Sequence, residues 1–151
     1  MNMIQKAKEQ VQELTKQAYA AAVKENLLPE GVTVEPSVEI PKDVSNGDYT
    51  TTFCLAAAKA MKMNPRQVAT ILTEHMALEG SYFTSVEIAG PGFMNFRLGD
   101  KWFGDTVTAI ESAGPDYGCS DMLKGRKIMV EFVSANPTGP MHMGNARGGV
   151  L

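Results

Sequence analysis

His142, Gly144 and Asn145 fall close together in SANPTGPMHMGNARGG, residues 134–149, and their types and spacing suit contact with a phosphate group. Two prolines and closely placed glycines forbid regular structure there until about His142. Just upstream, IMVEFV at residues 128–133 is the short, mostly apolar run that makes a buried parallel strand. A strand, an irregular loop and a helix starting in a glycine-containing turn would offer backbone N–H groups and a positive dipole end to an anion. His142 and Asn145 share one face of such a helix start, and Gly144 between them lets a flat ring or phosphate approach the backbone. A second pair, Phe93 and Asn95, shares one face of an expected strand, so a ring and a carboxamide stand side by side.

Other reactive side chains have plainer roles. Cys54 lies in an alanine-rich segment and reads as a small core hydrophobe. His75 stands among Ile71, Leu72 and Met76 and reads as structural. Two cysteines and two histidines far apart give no metal-ligand spacing, so no metal site is expected in the chain itself. Lys124, Arg126 and Lys127 read as a solvated basic run before the strand.

The elements that must position these residues follow from periodicity. Residues 3–26 carry Ile4, Val11, Leu14, Ala18, Ala21 and Ala22 at helical spacing, with Pro29 and Gly31 as the stop. Val32, Val34, Val38 and Ile40 alternate as a strand that Pro36 confines to an edge or a bulge, and Asn46-Gly47 makes a turn. Residues 50–62 suit a helix capped by a threonine or Asp48, and a second helix starts at Pro65 with Asn64 as its cap. Strands are expected over 82–88 and 93–98 around Gly90-Pro91-Gly92, and Asp100 is the expected cap of a last helix over 101–112. The fold class is therefore α+β, a small antiparallel sheet flanked by helices over residues 1–115. Residues 116–127 read as a linker and 128–151 as the start of a Rossmann-like nucleotide-binding segment.

The 151 residues carry 14 Lys and Arg against 17 Asp and Glu, with 44% hydrophobic and 21% charged residues. That suits a folded domain and excludes a disordered or collagen-like chain and a generic basic nucleic-acid coat. The start MNMIQKAKEQ turns polar at once, no apolar run approaches the roughly 20 residues of a membrane span, and free thiols suit a reducing, cytoplasmic setting.

The segment VEFVSANPTGPMHMGNARGG, residues 130–149, resembles the first signature of class I aminoacyl-tRNA synthetases, and its SANPTGP lead-in resembles the arginyl-tRNA synthetases in particular. IPKDVSNGDYTTTFCLAAAKAMKMNPRQVA at 40–69 and AGPGFMNFRL at 89–98 are similar to the additional N-terminal domain of the same family, which contacts the D-loop corner of tRNA. The family's usual core is His-x-Gly-His; here Asn145 replaces the second histidine and keeps a hydrogen-bond donor without a cationic form.

The resemblance implies an arginine–tRNA ligase that activates arginine with ATP and Mg²⁺ and passes it to tRNA(Arg). It implies that His142 and Asn145 act on the reacting phosphate, with Gly144 also at the ATP. Glu131, Ser134 and Asn136 would contact arginine, a guanidinium or ammonium requiring acceptors in fixed geometry. Phe93 and Asn95 would hold a D-loop base by stacking and edge hydrogen bonding. On this reading the chain holds the tRNA-contacting domain and only the first half-site for ATP and arginine, and is inactive by itself. The alternatives are a free-standing RNA-binding module and an interaction domain without a ligand.

Overall fold

The computed structural model describes residues 2–131, 133, 136 and 138–145. They divide into two units, Met1–Gly118 and Cys119–Leu151.

The first unit opens with α1, Met3–Lys24, whose Asn2 side chain accepts from the Gln5 N–H at 3.1 Å and so caps the helix start. Met3, Ala7, Val11, Leu14, Ala18 and Ala22 recur at three- and four-residue steps and are buried. Ile4, expected on this face, is 48% exposed because Met3 and Ala7 take the inward positions. The helix ends before Pro29. Asn26 adopts φ +59°, the Leu27 N–H returns to Ala22 O and the Asn26 N–H to Val23 O, both at 2.9 Å. This paired closure satisfies the last carbonyls with an asparagine in the left-handed region.

The sheet contains β1 (Val38–Glu39), β2 (Tyr49–Thr51), β3 (Phe83–Ala89) and β4 (Phe93–Leu98) in the order β1-β2-β4-β3, with every pair antiparallel. The Val32–Ile40 alternation yields only the two-residue edge strand β1, since Pro36 cannot donate to a ladder. A 3-10 turn, Val44–Asn46, closes on Gly47 at φ +88°. An added Cβ at Gly47 would come 2.8 Å from the Phe96 carbonyl oxygen, so the close approach needs glycine.

The helix expected over 50–62 is shorter than its composition suggests. Thr50 and Thr51 belong to β2, and α2 runs Phe53–Met61. β-Branched threonines fit an extended strand, and here they lie between β1 and β4. Asp48, a candidate cap, instead accepts from the Leu98 N–H at 2.8 Å, while the Thr51 hydroxyl accepts from the Phe53 N–H at 3.3 Å. α3, Pro65–Glu74, starts as expected: Asn64 Oδ1 accepts from the Arg66 N–H at 2.9 Å. α4 runs Asp100–Ala113 with Gly99, not Asp100, in the cap position.

One sheet face bears Tyr49, Thr51, Met94 and Phe96, all buried with inward residues of α1, α2 and α3. Phe83 meets Tyr49 and Phe96 edge-on, with ring centroids at 5.9 and 5.3 Å. Cys54 belongs to this core, and burial pushes its thiol up to about 12, so it is a packing residue and not a nucleophile.

In the second unit, turns close at Asp121–Lys124 and Leu123–Arg126 through backbone bonds of 2.9 and 3.0 Å. Of the parallel strand expected over 128–133, the described residues 128–131 and 133 lie outside any strand, and Met129 and Val130 are 94% and 72% exposed. Phe132 lies outside the described residues. A strand is held by ladder bonds to its neighbours, and among the described residues no strand follows Leu98. The Rossmann-like segment is thus not shown, whereas the α+β sandwich is.

Candidate functional site

The turn that carries the second unit's candidate residues is closed by its own side chains. The Gly144 N–H donates to His142 Nδ1 at 3.1 Å, and the His142 N–H donates to Asn145 Oδ1 at 3.1 Å. The Asn145 N–H also returns to His142 O at 2.9 Å. Residues 143–145 are helical, so His142 sits at the cap and Asn145 three positions on, in the reciprocal arrangement of a capping box. With Nδ1 accepting, the neutral imidazole carries its proton on Nε2 and presents a donor on its outer edge. A Cβ on Gly144 would stand 3.0 Å from Cε1 and 3.1 Å from Nδ1 of that ring. Glycine is therefore what lets the histidine fold back over its own turn.

A depression of about 270 Å³ is lined by Asn136, Thr138, Met141, His142 and Asn145, with Gly139 and Pro140. The structure so brings Asn136 to the same hollow as His142 and Asn145. Glu131 is exposed and not among its lining residues. Ser134 lies outside the described residues. Among the described residues no three His, Cys, Asp or Glu side chains cluster as a metal site.

Phe93 and Asn95 lie on the sheet face opposite Met94 and Phe96, as alternation along β4 requires. Phe93 is half-buried and pairs with Ala89; Asn95 stands between Thr50 of β2 and Glu87 of β3. Asn95 is 7% exposed, and its carboxamide makes no hydrogen bond among the described residues. Its amide atoms are not among the fully enclosed ones that lack a partner, so the carboxamide tip reaches solvent from a residue that is otherwise packed in. Thr50, directly opposite, adds a hydroxyl that is fully enclosed and lacks a partner among the described residues. Its place in the sheet is signalled in the sequence by the β-branching of the threonine run rather than by the alanines that follow.

His75 is tied down as a structural residue. Its Nδ1 lies 2.7 Å from Ile71 O and its Nε2 3.1 Å from Glu25 Oε2. Bonding to the Ile71 carbonyl first, and to Glu25 next, raises its pKa above the ordinary histidine value.

Residues 3–98 match the family model described as the arginyl tRNA synthetase N terminal domain, and the chain belongs to that family. It is 45% identical over 150 residues to the arginine–tRNA ligases of Acetivibrio thermocellus and of Caldanaerobacter subterraneus subsp. tengcongensis, covering 99% of this chain and 27% of each relative. The arginine–tRNA ligase of Listeria monocytogenes is 40% identical over 151 residues, again covering 27% of its length. The chain thus spans about a quarter of these curated relatives. Among solved structures, the arginyl-tRNA synthetase of Plasmodium falciparum shares the fold, with a TM-score of 0.52 at 8% identity over 66% of this chain and 17% of that one. No helix among the described residues is long and apolar enough to cross a membrane.

Proposed function

We propose that this chain is the tRNA-contacting part of a cytoplasmic arginine–tRNA ligase, joined to the first half-site for ATP and arginine. Residues 1–115 form the contacting domain, 116–127 a linker, and 128–151 the start of the nucleotide-binding fold. The observation that carries the RNA reading is Asn95, nine-tenths buried beside the half-buried Phe93 ring, with no partner for its amide. A base stacked on Phe93 would supply that partner from its polar edge. Phe93→Ala is expected to weaken binding of a tRNA D-arm hairpin by about 1–3 kcal/mol with the protein still folded. Unchanged binding in a folded variant would refute the reading.

For the second unit, the outward Nε2–H of His142 and the amide of Asn145 suit charge developing at a phosphate. Glu131, Ser134 and Asn136 would take the arginine. The donor set fits ATP, whose phosphates would carry the Mg²⁺, which favours oxygen ligands. A hollow open to water and lined by residues of one short stretch does not enclose a transition state, and large accelerations need that preorganised enclosure. The 151 residues alone are therefore expected to make no arginyl adenylate. Arginine-dependent exchange of pyrophosphate into ATP above a no-protein control, with tRNA present, would sink that expectation.

A further inference from the structure

Arg66 stands exposed on the first turn of α3, and its Nη1 donates to the Gly90 carbonyl at 2.8 Å. Gly92, at φ +139°, lies so near that an added Cβ would come 2.9 Å from the carbonyl carbon and oxygen of Pro65. These two contacts hold the β3–β4 turn, and Phe93 immediately after it, against the start of α3. Around Arg66 lies an open groove of about 540 Å³ lined by Asn64, Arg66, Gln67 and Thr70, all polar side chains.

The charge distribution singles out the same corner. Residues 1–118 hold ten Lys and Arg against fifteen Asp and Glu, yet from Thr51 to Thr73 there are Lys59, Lys62 and Arg66 and no acid. Lys62 occupies the left-handed cap of α2 at φ +53°, shortly before the Asn64 cap of α3. Arg66 therefore offers a polyanion a cation beside the turn that leads into Phe93, while Glu87 lies across the strand from Asn95. The bond to Gly90 occupies one of the five N–H donors of Arg66, which leaves donors for a phosphate oxygen.

We propose that Arg66, assisted by Lys62, neutralises a backbone phosphate of the RNA strand whose base meets Phe93 and Asn95. This rests on the RNA contact proposed above and adds its electrostatic anchor. An acidic protein segment would pair with the cations and accept from the Asn95 amide but would leave the Phe93 ring without a flat partner to stack on, which favours a nucleotide.

The test titrates the 151-residue chain with a labelled tRNA D-arm hairpin across a range of salt concentrations. Arg66→Gln is expected to weaken binding and to reduce the slope of log affinity against log salt by about 0.7–0.9, the signature of one lost phosphate contact. Because Arg66→Gln also removes the Gly90 bond, its thermal midpoint is read alongside. Lys62→Gln is the second variant, since the Lys62 side chain makes no hydrogen bond or ion pair among the described residues. A reduced slope in either folded variant supports the phosphate anchor. Unchanged slopes in both overturn it, even where Phe93→Ala still weakens binding at constant slope and the base contact stands. Weakening by Arg66→Gln with no effect of Phe93→Ala refutes the base contact instead. Failure of the unsubstituted chain to bind at the lowest salt overturns both.

Discussion

The two units place candidate chemistry on very different supports. In residues 1–118 the paired Phe93 and Asn95 sit on a strand whose other face, Met94 and Phe96, is fully buried beneath three helices. Their positions are set by a core, so side-chain identity can be spent on recognition. In the second unit His142, Gly144 and Asn145 are tied, among the described residues, by the hydrogen bonds of their own turn, and the apolar residues 128–130 are exposed. Local capping fixes a turn's geometry without fixing where the turn points. Residues on the first unit's sheet are therefore held by packing, and those of the second unit's turn by local bonds.

The largest expected difference between the units is in stability. Phe96→Ala removes a fully buried ring from the centre of the sheet and should destabilise the chain by about 3–5 kcal/mol. Val130→Ser, at a site 72% exposed, should change stability by less than about 0.5 kcal/mol. Urea unfolding of both variants checks the contrast, and comparable losses would mean that residues 128–131 are packed in solution.

A smaller effect isolates one clasp within the first unit. His75 gains the Ile71 carbonyl and Glu25 as partners, and its pKa is raised on folding. A raised folded-state value means the stabilisation is fully present below the unfolded histidine pKa of about 6.5 and is lost as pH rises through the folded value. The urea midpoint should therefore be higher at about pH 6 than at about pH 8.5, and His75→Gln should flatten that difference. An undiminished difference in the variant would assign the pH dependence elsewhere.

Much of the first unit was legible because its local signals agree. Asn64-Pro65 starts α3, Gly90-Pro91-Gly92 turns β3 into β4, and the spacing of Val11, Leu14 and Ala18 gives the buried face of α1. The errors arose where tertiary pairing overrode composition. Thr50 and Thr51 precede an alanine-rich helix and share its composition window, yet they belong to the sheet's second strand. The IMVEFV run has the composition of a buried strand, but burial and ladder partners are properties of neighbours that a run of residues does not itself encode. The Phe93 and Asn95 pairing on one face followed from alternation alone. The unpaired state of the Asn95 amide did not, since it depends on Thr50 and Glu87 across the sheet. Likewise, the reciprocal bonds of His142 and Asn145 depend on the backbone of their turn, which spacing alone did not give.

Amide hydrogen exchange on the 151-residue chain tests the contrast between the two units most directly. Slow exchange is expected at α1 and at the β3–β4 ladder, near the limit set by global unfolding, with residues 119–131 exchanging close to the unprotected rate. Slow exchange throughout residues 119–131 in a demonstrably monomeric sample would contradict the account, because the second unit would then be self-supporting.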